Sequence, residues 1–397
     1  TPKPTTAASD VYKRQLEDRS GLKGKAASAS SEPSGEDNSD GAVVRATGSM
    51  AIATMVSRIT GFIRMVLIGS TLGPAISSAF GTANQLPNLI TEIVLGAVLT
   101  SLVVPVLVRA EKEDADRGED FVRRLFTLAF SLLATITVLS CIFAPQITRM
   151  MLPEDGEVNA IQATSFAYLL LPQIFFYGLF ALFQAVLNTK NIFGPGAWAP
   201  VVNNIISITV LVAYQLLPGS LHPDAPSPIT DRHVLLLALG TTAGVVVQCL
   251  ILFPYLKKAG INLKPLWGLD DRLKQFGGMA MAIVAYVAVS QLGYVITSRV
   301  AAHADKDAPF IYQQAWLLLQ VPYGVIGVTL LTAIMPRLSR NAADGDVKAV
   351  VRDLTLGTKL TFIALLPIVI FMTGFGIPIA RGLFQYGAFN AKAVSYT

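Results

Sequence analysis

Cysteine, histidine and charge are all scarce in this sequence. The two cysteines, Cys141 and Cys249, lie inside long apolar runs, which excludes a disulfide framework and a cysteine-based zinc site. The three histidines, His222, His233 and His303, stand at no metal-ligand spacing and read as loop side chains. Charged residues make up 14% of the 397, against about 25% in a soluble domain. No P-loop motif is present, so nothing points to ATP as a driver. No catalytic constellation and no acidic metal-binding motif can be found either. The chain therefore reads as a non-enzyme with no cofactor.

What is abundant is apolar sequence: 52% of residues are hydrophobic and the mean hydropathy is +0.54. The charges are concentrated in residues 1–45 and in short clusters between long apolar runs. That is the pattern of an all-α polytopic membrane protein. The net charge of +5 does not indicate a nucleic-acid partner, because the basic residues mostly alternate with spans and so set topology. Residues 1–45 are polar, too poor in apolar side chains to fold alone, and read as a disordered cytoplasmic tail.

A helix crosses the bilayer with about twenty apolar residues. About nine spans are predicted, at 46–72, 77–109, 121–150, 158–188, 197–217, 232–256, 275–301, 308–338 and 350–384. With the amino terminus inside, the inner loops carry Arg109, Lys112, Arg117, Arg123, Arg124, Lys190, Lys257, Lys258, Lys264, Arg272, Lys274, Arg337, Arg340, Lys348 and Arg352. The outer loops carry Arg149, Arg232, Arg299, Lys306 and Arg381. This roughly threefold asymmetry predicts a cytoplasmic amino terminus.

The spans repeat. Gly96, Leu99, Pro105 and Arg109 match Gly327, Leu330, Pro336 and Arg340 at one fixed offset, and Val56-Ser57 echoes Val289-Ser290. Spans 1–3 are thus echoed by spans 7–9 in the same orientation. The expected plan is an N-lobe at 46–256, a cytoplasmic inter-lobe loop at 257–274 and a partial C-lobe at 275–393. Repeats around a midplane site are a common transporter plan.

Both ends carry sequence of another kind. Asp10-Val11-Tyr12-Lys13-Arg14-Gln15 is a translation of a transposon end used to prepare sequencing libraries. Val394-Ser395-Tyr396-Thr397 translates its reverse complement. Residues 1–15 and 394–397 are therefore read as adaptor-derived, and the authentic protein as a fragment.

Arg58 and Arg64 lie within the first span. A charge at membrane depth costs about 2.5–3.5 kcal/mol on insertion scales and so faces a cavity or a partner. Arginine's planar fork suits phosphate oxygens; an ion pair or snorkelling to the interface is the alternative. Glu92 lies in the second span with Gln85 and Asn88 on the same helix face. This polar stripe either lines a cavity, binds a coupling cation or proton, or pairs with Arg58 or Arg64. Ser290, Gln291, Gln313, Gln314 and Gln320 add polar groups to spans seven and eight, where interhelical hydrogen bonding is the plain explanation.

Several ordered stretches then resemble one family. Ser57-Arg58-Ile59-Thr60-Gly61-Phe62-Ile63-Arg64 is similar to the first-helix signature of the MurJ/MviN lipid II flippases. Leu86-Pro87-Asn88-Leu89 resembles the next signature. Leu187-Asn188-Thr189, Ala197-Trp198-Ala199-Pro200, Gly324-Val325, Pro336 and Leu383-Phe384-Gln385-Tyr386-Gly387 follow in order. The resemblance implies a fourteen-helix fold of the multidrug/oligosaccharidyl-lipid/polysaccharide exporter type, of which about nine helices are present here. It also implies flipping of lipid II, or a similar polyprenyl-diphosphate cargo, across the bacterial plasma membrane by alternating access. Membrane lipids and cell-wall synthesis proteins are the other expected partners. The expected drive is a coupling ion or the membrane potential. The resemblance carries Ser57, Arg58 and Arg64 over as cargo-binding residues; Gln85, Asn88 and Glu92 join them as candidates from the stripe. Where the family often has arginines, this sequence has Thr91, Glu92 and Leu317. These departures leave open an exporter of another polyprenyl-linked glycan or of a drug, and a non-transporting scaffold for cell-wall synthesis.

Overall fold

The computed structural model describes residues 36–96, 106–107, 110, 116, 118–153, 155–190, 192–268, 277–323, 334, 338, 341–342 and 345–388. The chain divides into two compact units, residues 1–49 and Met50–Thr397. Helix packing and the cavity belong to the second.

The described elements are helical. Helix α1 is Glu36–Leu72, α2 Pro74–Thr91, continued by a π-helical turn Glu92–Gly96. Helices α3 (Glu119–Ile142), α4 (Ala144–Met151), α5 (Ala160–Leu170), α6 (Gln173–Thr189) and α7 (Gly194–Leu216) come next. Then come α8 (Arg232–Leu250), α9 (Phe253–Lys258), α10 (Gly277–Ala304), α11 (Ala308–Pro322), α12 (Val347–Gly374) and α13 (Gly376–Phe384).

Each predicted span falls on one of these helices or a consecutive pair. Among the described residues, six helices are long and apolar enough to cross a membrane, or seven when the bent pair α5–α6 is taken as one span. The second and eighth predicted spans run on into 97–105 and 324–333, outside the described residues. Residues 1–35 and 394–397, on which the adaptor reading rests, also lie outside them. One boundary differs: α1 begins at Glu36, within the stretch read as a disordered tail.

Several predicted single spans are broken, and proline accounts for the breaks. Pro145 and Pro254 sit in the first turn of α4 and α9, where the missing N–H costs nothing but the preceding helix cannot continue. The α5–α6 pair bends by 45° across Leu171-Pro172. Pro87 and Pro322 instead lie inside α2 and α11. The π-helical turn starts at Glu92, and Tyr323, at the offset that relates Gly96 to Gly327, is π-helical as well.

Helices α2, α5, α6, α7 and α8 pack through small residues and aromatics. A Cβ at Gly240 would meet the Val210 side chain, and one at Gly178 would meet Leu133, so glycine lets these helices approach closely. The Phe80 and Phe166 rings meet edge to face at 5.3 Å. Polar links fix the register: Asn203 Nδ2 donates to Gln248 Oε1 at 2.8 Å, and Gln173 Nε2 to Thr242 Oγ1 at 3.0 Å. By contrast, none of the apolar window of α12 is buried within the structure.

Candidate functional site

The largest polar-lined cavity among those described, about 940 Å³ and partly open, is lined by α1, α2, α6, α8, α10 and α11. Helix α2 and its π-turn supply Gln85, Asn88, Thr91 and Glu92. Helix α8 adds Gln248, and α10 and α11 add Ser290, Gln291, Thr297, Gln313 and Gln320. Aromatic rings from three helices, Tyr177, Tyr294, Tyr312 and Trp316, make up much of the remainder. The wall is therefore neutral and rich in amides and rings, with Glu92 the one ionic group among the described lining residues. Asn88 Nδ2 donates to Gln85 Oε1 at 3.4 Å, and the Tyr177 hydroxyl also faces Asn88.

The elements bring together part of the predicted constellation. Gln85, Asn88 and Glu92 share the cavity; Ser57, Arg58 and Arg64 do not line it. Helix geometry explains the split between the arginines. Arg58 and Arg64 are six residues apart, so at about 100° per residue their directions differ by about 120°. Arg58 points outward and is exposed. Arg64 is near enough to Tyr177 to interact with it electrostatically and lines a small separate void of about 10 Å³ between α1, α2, α7 and α8. Three buried polar atoms without a hydrogen-bond partner belong to that void: Arg64 Nε, Asn84 Oδ1 and Ser207 Oγ. Ser57 is engaged through its backbone, its carbonyl accepting from Asn204 Nδ2 at 3.0 Å. The alternative of an ion pair between Glu92 and Arg58 or Arg64 is not realised among the described residues.

Of the polar groups read as interhelical glue, Gln314 serves that purpose, donating to the Met65 carbonyl at 3.2 Å. Ser290, Gln291, Gln313 and Gln320 open onto the cavity instead. Sequence reasoning missed Gln248 and the ring set. Gln248 could have been found as a lone amide in an apolar run; a tyrosine in a span carries no such signal. Thr91, Glu92 and Leu317, where the resemblance implies arginine, all line the cavity.

Beyond Thr297, the end of α10 and the turn after it are linked to earlier segments of the chain. The Glu157 amide donates to the Ala302 carbonyl at 2.8 Å, and Arg299 Nη1 to the Arg149 carbonyl at 3.1 Å. Lys306 pairs with Asp224 at 3.1 Å. Arg149, Arg299 and Lys306, all assigned to one membrane side from loop charge, are thus gathered at one end. Arg123 and Lys264, assigned to the other side, also meet, Arg123 Nε donating to the Lys264 carbonyl at 3.1 Å.

Comparison with known proteins bears on this architecture. A family model described as "Lipid II flippase MurJ" matches residues 68–397. The lipid II flippase MurJ of Burkholderia cenocepacia is 28% identical over 354 residues, covering 86% of this chain and 66% of that protein. The chain thus spans about two thirds of the length of the curated relatives it matches. A solved structure titled "Lipid II flippase MurJ, inward closed conformation" is similar with a TM-score of 0.69, 22% identity, and coverage of 87% of this chain and 69% of that one. An inward-facing multidrug resistance MATE family transporter of the MOP superfamily is similar with a TM-score of 0.66 and 16% identity, over 88% of this chain and 79% of that one. These two likenesses concern the fold. With the family model matching from within α1 to the last residue, the chain belongs to the lipid II flippase MurJ family.

Proposed function

We propose that this chain forms the cavity-bearing part of a lipid II flippase in the bacterial plasma membrane, with its amino terminus cytoplasmic. Two helical lobes, one built from α1–α9 and the other beginning at α10, rock against each other to switch access to the cavity. The observation that carries this reading is the cavity itself. It is large enough for a bulky head group and lined from both prospective lobes. Amides and rings suit a glycan and peptide head group, through hydrogen bonds and stacking. The polyprenyl tail stays in lipid.

Gln85, Asn88 and Glu92 are the proposed contacts. Arg64 acts from near Tyr177 by its positive field. Arg58 and Ser57, nearer the inner surface, meet the cargo on entry. An ion gradient or the membrane potential supplies the energy; one charge moved through 100 mV is worth about 2.3 kcal/mol.

The test is lipid II exposed on the outer face of cells depleted of their own flippase and supplied with this gene. Restored exposure that Asn88→Leu abolishes supports the reading. Well-expressed protein that restores none, in its full genomic reading frame, refutes it.

A further inference from the structure

A diphosphate cargo and this cavity pose an electrostatic mismatch. Among the described lining residues there is no Arg, Lys or His, and the one ionic group is Glu92. Its carboxylate has no ion-pair partner among the described residues, and the residue is exposed to the cavity. The backbone there is a π-helical turn, Glu92–Gly96, following the Pro87 interruption of α2. Single π-turns inside α-helices occur frequently at functional sites, because they re-aim a side chain. Here the turn presents a carboxylate at the end of the Gln85–Asn88 amide face.

Resting on the flippase reading above, we propose that Glu92 is the protein ligand of a divalent cation that enters with the cargo and bridges carboxylate to diphosphate. The chemistry is that of magnesium. This ion keeps several waters and binds through one or two carboxylates together with substrate phosphates, not through a cage made by the protein alone. One carboxylate is what the cavity offers; no cluster of three His, Cys, Asp or Glu that could hold a metal unaided occurs among the described residues. The neutral oxygen and N–H groups of Gln85, Asn88 and Thr91 suit the waters of a hydrated hard cation. The bridge turns the mismatch into selectivity: the carboxylate repels a bare diphosphate and accepts its metal complex.

Trp316 lines the same cavity and provides a reporter. The full chain with Trp198→Phe and Trp267→Phe, purified in detergent, is titrated with farnesyl diphosphate while Trp316 emission is followed, in MgCl2 or in EDTA. The expected result is affinity at least about tenfold tighter in MgCl2, with the difference reduced to about twofold or less in Glu92→Gln. Glu92→Asp should keep most of the magnesium dependence, which separates a ligand from a merely structural side chain. Equal affinity in MgCl2 and EDTA for the unsubstituted protein overturns the bridge and leaves the diphosphate reading standing. Magnesium dependence unchanged in Glu92→Gln also overturns it, since the ion would then act on the cargo alone. No response to the diphosphate in either condition, while a lipophilic cation quenches Trp316, overturns both the bridge and the anionic-cargo reading.

Discussion

Lys306 Nζ lies 3.1 Å from Asp224 Oδ1, joining the turn between α10 and α11 to the loop that precedes α8. Both side chains are substantially exposed, at 41% and 80%, so the pair contributes at most about 1 kcal/mol. Its significance is its position, near the Glu157–Ala302 backbone bond that links the loop before α5 to α10, shortly past Thr297 of the cavity wall. Two conformations that differ by a few kcal/mol respond measurably to a change of that size. Lys306→Ala should therefore leave the thermal unfolding midpoint nearly unchanged. It should increase severalfold the labelling of a cysteine placed at Thr297 by an impermeant maleimide. Unchanged labelling would mean that the backbone contacts alone hold this part of α10 in place.

Gly387 has φ +58°, and the next amide, Ala388 N–H, donates to the Ser70 carbonyl at 2.8 Å. A Cβ at Gly387 would collide with that same carbonyl. Two costs combine in Gly387→Ala, left-handed strain and a backbone clash, for about 1–3 kcal/mol in all. Asparagine tolerates the left-handed region better than alanine, but it has the same Cβ. Gly387→Asn should therefore be nearly as destabilised as Gly387→Ala in thermal unfolding. Recovery in the asparagine variant would show that the dihedral angle alone matters.

Much of this architecture could be read in the residues, because a bilayer imposes a length and an apolarity that the sequence must display. Glu92 and Tyr323, which the offset of the sequence repeat relates, are both π-helical positions. The breaks were less legible. Pro145 and Pro254 begin new helices, whereas Pro87 and Pro322 sit within helices, and the residue type does not distinguish the two cases. At the site, the stripe Gln85–Asn88–Glu92 was read from its spacing and faces the cavity together. Arg64 was read from its charge, and charge states a cost without giving a direction. That direction depends on the rotation of α1, which neighbours such as Asn204 fix from elsewhere in the chain: its Nδ2 donates to the Ser57 carbonyl and to Thr60 Oγ1.

Those two bonds give a bounded expectation. Interhelical side-chain hydrogen bonds in membrane proteins average about 0.6 kcal/mol and reach about 1.7. After Asn204→Ala, Thr60 Oγ1 still donates to the Val56 carbonyl at 2.8 Å, so no buried hydroxyl is stranded. The loss in unfolding free energy should be about 0.5–1.5 kcal/mol. A larger loss would indicate that α1 rotates once released, carrying Arg64 out of its void.

Arg64 supplies the sharpest contrast. Its Nε is buried without a hydrogen-bond partner, as are Asn84 Oδ1 and Ser207 Oγ around the same void. A half-buried cation with a stranded N–H is costly, and replacing such charge with an apolar side chain of similar volume is often neutral or stabilising. Alanine instead removes the packing of the long stem as well as the charge. Arg64→Met should thus be as stable as the parent or more so, by up to about 2 kcal/mol. Arg64→Ala should be less stable than Arg64→Met by about 1–2 kcal/mol, the cost of the enlarged void. Denaturant unfolding in a mild detergent measures both. If Arg64→Met instead loses more than about 2 kcal/mol, the guanidinium has a partner that the methionine strands. Retained stability together with lost lipid II exposure in cells would make the positive field of Arg64 a functional requirement and not a structural one.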